Sequence, residues 1–205
     1  MDKDVSAGSI TSTLGHLALG LTLLLFGLGN TQVIDGVTAA DSVSLATYVG
    51  GIALFVAGLF AFRDHDAFTG TAFTALGAFW FTWGVTAGTQ MSANATGLFL
   101  LLFALVALSL TAGASGAPLL TRGTYALLFV ALLLLAVGQF GDSGGLGKVG
   151  GWFAVAGGAL AWYGATAAMA HWPTALPGRA AARAGPTLSC AVHTGQRRQS
   201  ATRGR

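Results

Sequence analysis

The sequence contains no glutamate, and its seven acidic residues are all aspartate. Charged residues of both signs make up only 8% of the chain, against about 25% in a soluble globular domain. So little charge cannot solvate the surface of a water-soluble core, which excludes the ordinary soluble enzyme and binding-domain classes. The single cysteine, Cys190, excludes a disulfide framework and a thiolate metal centre. Six of the ten Lys and Arg residues lie beyond Gly178. The formal net charge of +3 therefore describes a tail, not a nucleic-acid-binding surface. There is no HExxH, no phosphate-binding loop and no credible Ser-His-Asp set. Neither an enzyme nor a metal or cofactor is expected.

What the chain has instead is long uncharged runs. They cover 30 residues between Asp4 and Asp35, 21 between Asp41 and Arg63, and 55 between Asp66 and Arg122. A further 19 lie between Arg122 and Asp142, and 30 between Lys148 and Arg179. A helix crossing a bilayer needs about 20 predominantly apolar residues. The runs predict an all-α integral membrane protein with six transmembrane helices, near 11–29, 45–62, 68–88, 97–116, 123–140 and 150–170. None of the four prolines falls inside a span.

Lys3 is flanked by Asp2 and Asp4, and no small-residue cleavage site follows the first run, so it is expected to be retained. With six spans both ends share one side, together with Lys3, Arg63, Arg122 and the basic tail, while Lys148 falls opposite. The positive-inside rule then places both termini in the cytoplasm of a multi-pass inner (plasma) membrane protein. The expected organisation is a cytoplasmic segment at 1–10, a six-helix domain at 11–172, and a disordered basic cytoplasmic tail at 173–205.

Many of the 31 glycines recur at intervals of seven: Gly51 and Gly58; Gly70, Gly77 and Gly84; Gly150, Gly157 and Gly164. Seven residues is almost two helical turns, so each set lies along one face. In a bilayer such small-residue stripes let helix backbones approach, and these glycines are the expected packing faces. Polar residues inside spans are few. His16, Thr71, Thr74 and Gln139 are the candidates to line a path, with His16 the one titratable group among them. No span contains Asp, Glu, Lys or Arg, which argues against a carboxylate proton relay or a voltage sensor.

Two segments carry a family resemblance. Gly50-Gly51-Ile52-Ala53 and Ala57-Gly58-Leu59, then Phe68 and Thr71-Ala72-Phe73-Thr74-Ala75-Leu76-Gly77-Ala78-Phe79-Trp80, resemble the family pattern GGxxQxxAGxxE and NTFGxTAFxSYGxFW. Gly151-Trp152 with Gly158-Ala159, Ala161 and Tyr163 resembles GWxxxxxGAxAxY, and Leu14-Gly15 can be laid on PLGLxGF. These are patterns of the acetate uptake transporter family, the YaaH-type succinate–acetate permeases. The resemblance covers roughly 13–170. Departures are Ile10-Thr11-Ser12-Thr13 in place of NPAP, Leu54 for the Gln, Ala61 for the Glu and Asp66 for the Asn.

The resemblance implies a transporter or channel for acetate and related small monocarboxylates, extending to succinate. It also implies a homo-oligomer, a hexamer in bacterial members, with one pore per protomer in the lipid bilayer. The family's pore constriction maps to Leu19, Leu76 and Leu128, of which only the last keeps the family residue. Two other functions stay open: a channel for another small solute, ammonia or a neutral weak acid, and a non-transporting membrane scaffold or sensor.

Overall fold

The structure is a computed structural model of the chain and describes residues 10–86 and 91–172. The expected N-terminal segment before Ile10 and the expected tail at 173–205 lie outside the described residues. Six long helical segments follow one another: α1 (Ile10–Thr31), α2 (Ala40–Arg63), α3 (Ala67–Thr86), α4 (Ala93–Gly113), α5 (Leu119–Phe140) and α6 (Gly144–Met169). There is no strand among the described residues. Four of these stretches are long and apolar enough to cross a membrane: Ile10–Thr31, Ala40–Arg63, Ala93–Gly116 and Leu119–Phe140. The remaining two, α3 and α6, are of similar length but are diluted by glycine, alanine and threonine.

Local chemistry sets the ends. Asp66 Oδ1 accepts from the Thr69 amide at 3.0 Å and starts α3, where an acidic side chain also favours the helix N-terminus. Ser92 Oγ accepts from the Ala95 amide at 3.2 Å and starts α4. Ser143 Oγ faces the Leu146 amide at 3.5 Å, so α6 begins at Gly144, earlier than the apolar run indicates. At the end of α2 the Asp66 amide bonds back to the Ala61 carbonyl at 3.0 Å, and His65 takes a left-handed φ of 60°. This is the Schellman closure, in which glycine is the usual residue.

The helices pack in chain order around a closed ring. α1 lies along α2 and α6, α5 lies between α4 and α6, and α3 lies against α2 and, over fewer residues, α4. Two seams bring backbones into direct contact. Between α2 and α3, a Cβ added to Gly51 would sit 2.9 Å from Phe81 Cα, and one on Gly77 would sit 2.7 Å from the Phe55 nitrogen. Gly58 meets Thr74, Gly84 meets Thr47, and Gly70 meets the Phe62 ring at 2.6 Å. Between α1 and α6, Gly20 would meet the Trp162 nitrogen at 2.8 Å and Gly27 the Val155 nitrogen at 2.7 Å. From the other side, Gly151 meets the Gly27 carbonyl at 2.9 Å and Gly158 the Leu24 nitrogen at 2.7 Å. Both seams run antiparallel. Gly150 turns instead toward α5, against Leu135 at 3.0 Å, and Gly157 sits between α1 and α5, against Leu23 at 3.2 Å and Leu127 at 3.3 Å. At Gly164 the nearest atom is on Leu120 at 3.7 Å, an ordinary contact.

α2 is not a uniform α-helix. A 3-10 turn at Ala39–Ser42 leads into it, and it carries a π-helical stretch at Ala46–Ala53. Within that stretch Gly50 abuts Thr22 of α1 and Trp80 of α3, while the neighbouring Gly51 abuts Phe81. The wider turn thus presents consecutive glycines to two neighbouring helices. Outside the ring, large apolar side chains are exposed, among them Phe55, Leu59 and Phe60 on α2, Leu98, Leu102 and Leu105 on α4, and Trp152 and Trp162 on α6.

Candidate functional site

The interior of the ring is built from one buried cluster to which α1, α3 and α5 contribute most of the large side chains. Along α1 the buried positions Leu19, Leu23 and Phe26 follow helical spacing, as do Phe73, Leu76 and Trp80 on α3. On α5 they are Tyr125, Leu128, Leu132 and Leu135. Leu19, Leu76 and Leu128 are each fully enclosed, at 0% exposure, within this one cluster.

Ring contacts give the depth of each layer. Toward the Ile10 end, the His16 ring meets the Phe73 ring edge-on, with centroids 5.1 Å apart. A Cβ at Gly15 would overlap Phe73, so α1 and α3 touch directly here. Leu19 is three residues past His16 and Leu76 three past Phe73, so each lies about 4.5 Å further along its helix. The two leucines therefore share a level. Beyond them, Phe26 packs edge-on against both Trp80 and Trp83, at 5.2 and 5.3 Å. Phe79 stacks on Phe99 of α4 at 5.5 Å and tilts against Phe103 at 5.0 Å, filling the seam between α3 and α4. On α5, Tyr125 packs against Phe68 at 6.1 Å, and Leu128 follows one turn later.

Polar groups in the ring satisfy themselves on their own helices. Thr22 Oγ1 donates to the Ala18 carbonyl at 2.8 Å, and Thr124 Oγ1 donates to the Leu120 carbonyl at 3.0 Å. This back-bonding satisfies the hydroxyls without a partner from another helix. Among the described residues, the exceptions are four buried atoms without a hydrogen-bond partner: His16 Nε2, Thr74 Oγ1, Trp80 Nε1 and Trp83 Nε1.

The other polar residues singled out in the sequence scatter. Thr71 is exposed and donates to the Ala67 carbonyl of its own helix at 2.8 Å. Gln139 is exposed near the end of α5. Thr74 is half-buried in the α2–α3 seam beside Gly58, away from the leucine layer. His16 is half-buried one turn from Leu19. The structure thus brings His16 close to the leucine layer and leaves Thr71 and Gln139 outside the buried cluster. Phe26, Trp83, Phe99 and Phe103 were not foreseen. Their only sequence signal is an aromatic at helical spacing, which looks the same on a lipid-facing helix.

The GPR1/FUN34/yaaH family model matches residues 9–175. The chain belongs to the GPR1/FUN34/yaaH family. Among curated relatives, it is 30% identical over 161 residues to the succinate-acetate/proton symporter SatP of Escherichia coli strain K12, covering 73% of this chain and 82% of that one. It is 28% identical over 172 residues to the glyoxylate pathway regulator of Yarrowia lipolytica, covering 77% of this chain. It spans 63% of that relative's length. In three dimensions it superposes on the bacterial acetate channel SatP with a TM-score of 0.73 at 25% identity, covering 80% of this chain and 93% of the other. The helical ring is therefore a GPR1/FUN34/yaaH fold, and the relatives named are a transporter, a channel and a regulator.

Proposed function

We propose that this protein is a membrane channel or transporter for acetate and related small monocarboxylates, with succinate as the upper size. The observation that carries the reading is that Leu19, Leu76 and Leu128, on three alternate helices, are each fully enclosed within one buried cluster. A narrow apolar level between two aromatic layers gates by dewetting and needs no charged side chain. A solute with a methyl group and one polar end suits it. Kinship with a succinate-acetate symporter and an acetate channel supports the same substrate class.

All six helices cross the bilayer in this proposal. α3 and α6 do so through their contacts, since each lies against a helix apolar enough to span alone. Glycine seams replace the missing hydrophobic drive between helices in lipid. Both termini are cytoplasmic, and the exposed apolar side chains face lipid or a second copy in a homo-oligomer. The direct experiment is uptake of radiolabelled acetate in cells lacking other acetate carriers. Expression of this chain should restore uptake; unchanged background uptake with the protein present in the membrane would reject the proposal.

A further inference from the structure

Of the four unpartnered buried atoms found among the described residues, His16 Nε2 is the one whose role follows from a close contact of its sister nitrogen. The His16 Nδ1 lies 2.7 Å from the Ser12 carbonyl oxygen. A carbonyl oxygen only accepts, so Nδ1 must carry the proton. In a neutral imidazole the other nitrogen is then a bare lone pair. That nitrogen, Nε2, is buried and has no donor. The ring is held by Phe73 on its edge. So the protein holds a fixed acceptor one turn from the level of Leu19 and Leu76. In the sequence, His16 stands where the pattern PLGLxGF has its second leucine, so an apolar residue suits the fold at this place.

We infer that His16 Nε2 is a binding position for the protonated, neutral form of a small carboxylic acid. The acid O–H donates to Nε2, and its methyl group rests on the apolar layer formed by Leu19, Leu76 and Phe73. The charge logic is simple. A lone pair repels a carboxylate and attracts an O–H donor. An acceptor left bare in an apolar setting is costly, and a good donor removes that cost. No proton leaves the acid in this step. The site thus selects the acid over its anion at the Ile10 end of the ring. It rests on the transport reading only for the route by which the acid arrives.

The test uses the full chain, reconstituted, with 15N-labelled histidine. The His16 signal is the one that disappears in His16→Leu. Its two nitrogens should show a protonated Nδ1 and an unprotonated Nε2. Titration with acetic acid should move the Nε2 signal. Acetone, which is of similar size and has no O–H, should leave it in place. In proteoliposomes at one fixed pH, His16→Leu should raise the half-saturating acetate concentration about five-fold, the weight of one neutral hydrogen bond, with the protein still folded. A proton found on Nε2, an equal response to acetone, or an unchanged half-saturation with parent-level transport would each overturn the inference. If the parent moves no carboxylate, the transport proposal falls and the titration alone decides this one.

Discussion

Gly77 lies against the backbone of Phe55 so closely that a methyl group in its place would sit 2.7 Å from the Phe55 amide nitrogen. No rotamer relieves such a contact, because the obstacle is main chain. Gly77→Ala should therefore push α2 and α3 apart, and Gly77→Leu more so. An overpacked site typically costs about 1–3 kcal/mol. Gly164→Ala is the control, since its nearest neighbour is a leucine side chain at 3.7 Å. Thermal unfolding in detergent should show a clear loss for the first pair and none for the control. Equal melting temperatures at Gly77 and Gly164 would mean that the α2–α3 seam is not this tight.

The leucine layer should set the transport barrier. Leu76→Ala widens it and should raise acetate flux and admit larger acids such as succinate. Leu76→Tyr adds a hydroxyl at the same level and should also raise flux. Leu76→Trp should cut flux at least about ten-fold while leaving the fold intact, because a filled constriction cannot wet. Proteoliposome flux at matched protein amounts measures all three. Parent-like transport in every variant would take Leu76 out of the path.

Backbone strain offers a stability test far from the pore. His65 closes α2 with φ at 60°, a conformation that costs an L-residue about 1–2 kcal/mol. His65→Gly should raise the melting temperature by about 2–4 °C. Gly36 has φ at 78° and nothing within 4 Å of an added Cβ, so Gly36→Ala meets strain without collision. It should lower the melting temperature by a similar amount. Shifts of the same sign at the two sites would contradict the argument.

Topology can be read from the natural thiol. Cys190 belongs to the stretch proposed as cytoplasmic, so an impermeant maleimide should label it in lysed cells and leave it untouched in intact ones. Labelling in intact cells would invert the proposed orientation.

The helical segments were legible because charge marks their limits: Asp35, Asp41, Arg63, Asp66, Arg122 and Asp142 all sit in or beside the turns. Helix starts were less legible. α6 extends back to Gly144 because Ser143 caps it, and a glycine-rich stretch gives no apolar signal of its own. The spacing of glycines was visible along each span, but their partners were not. Gly150 and Gly151 are adjacent, yet one faces α5 and the other α1, a distinction that only the neighbouring helices make. Leu19, Leu76 and Leu128 were singled out by a family pattern and could not have been singled out by composition, since leucine is equally at home against lipid. Thr71 looked like a candidate for the path because it is polar within a span, but its hydroxyl is already taken by its own helix.

The π-helical stretch at Ala46–Ala53 bears on how this chain should be compared with others. Each π bond encloses one residue more than an α bond, so the stretch carries chain length that a plain helix of equal height would not hold. Elsewhere, losing one residue rotates everything beyond it by about 100° and moves a whole glycine row off its partner. Between residues 46 and 53 the same loss can be absorbed by returning to α bonds, with Gly58 and Ala61 still facing inward. A one-residue gap placed here in an alignment is structurally cheap. The same gap inside Ile10–Thr31 would separate Gly20 from Gly27 in phase and undo the seam with α6.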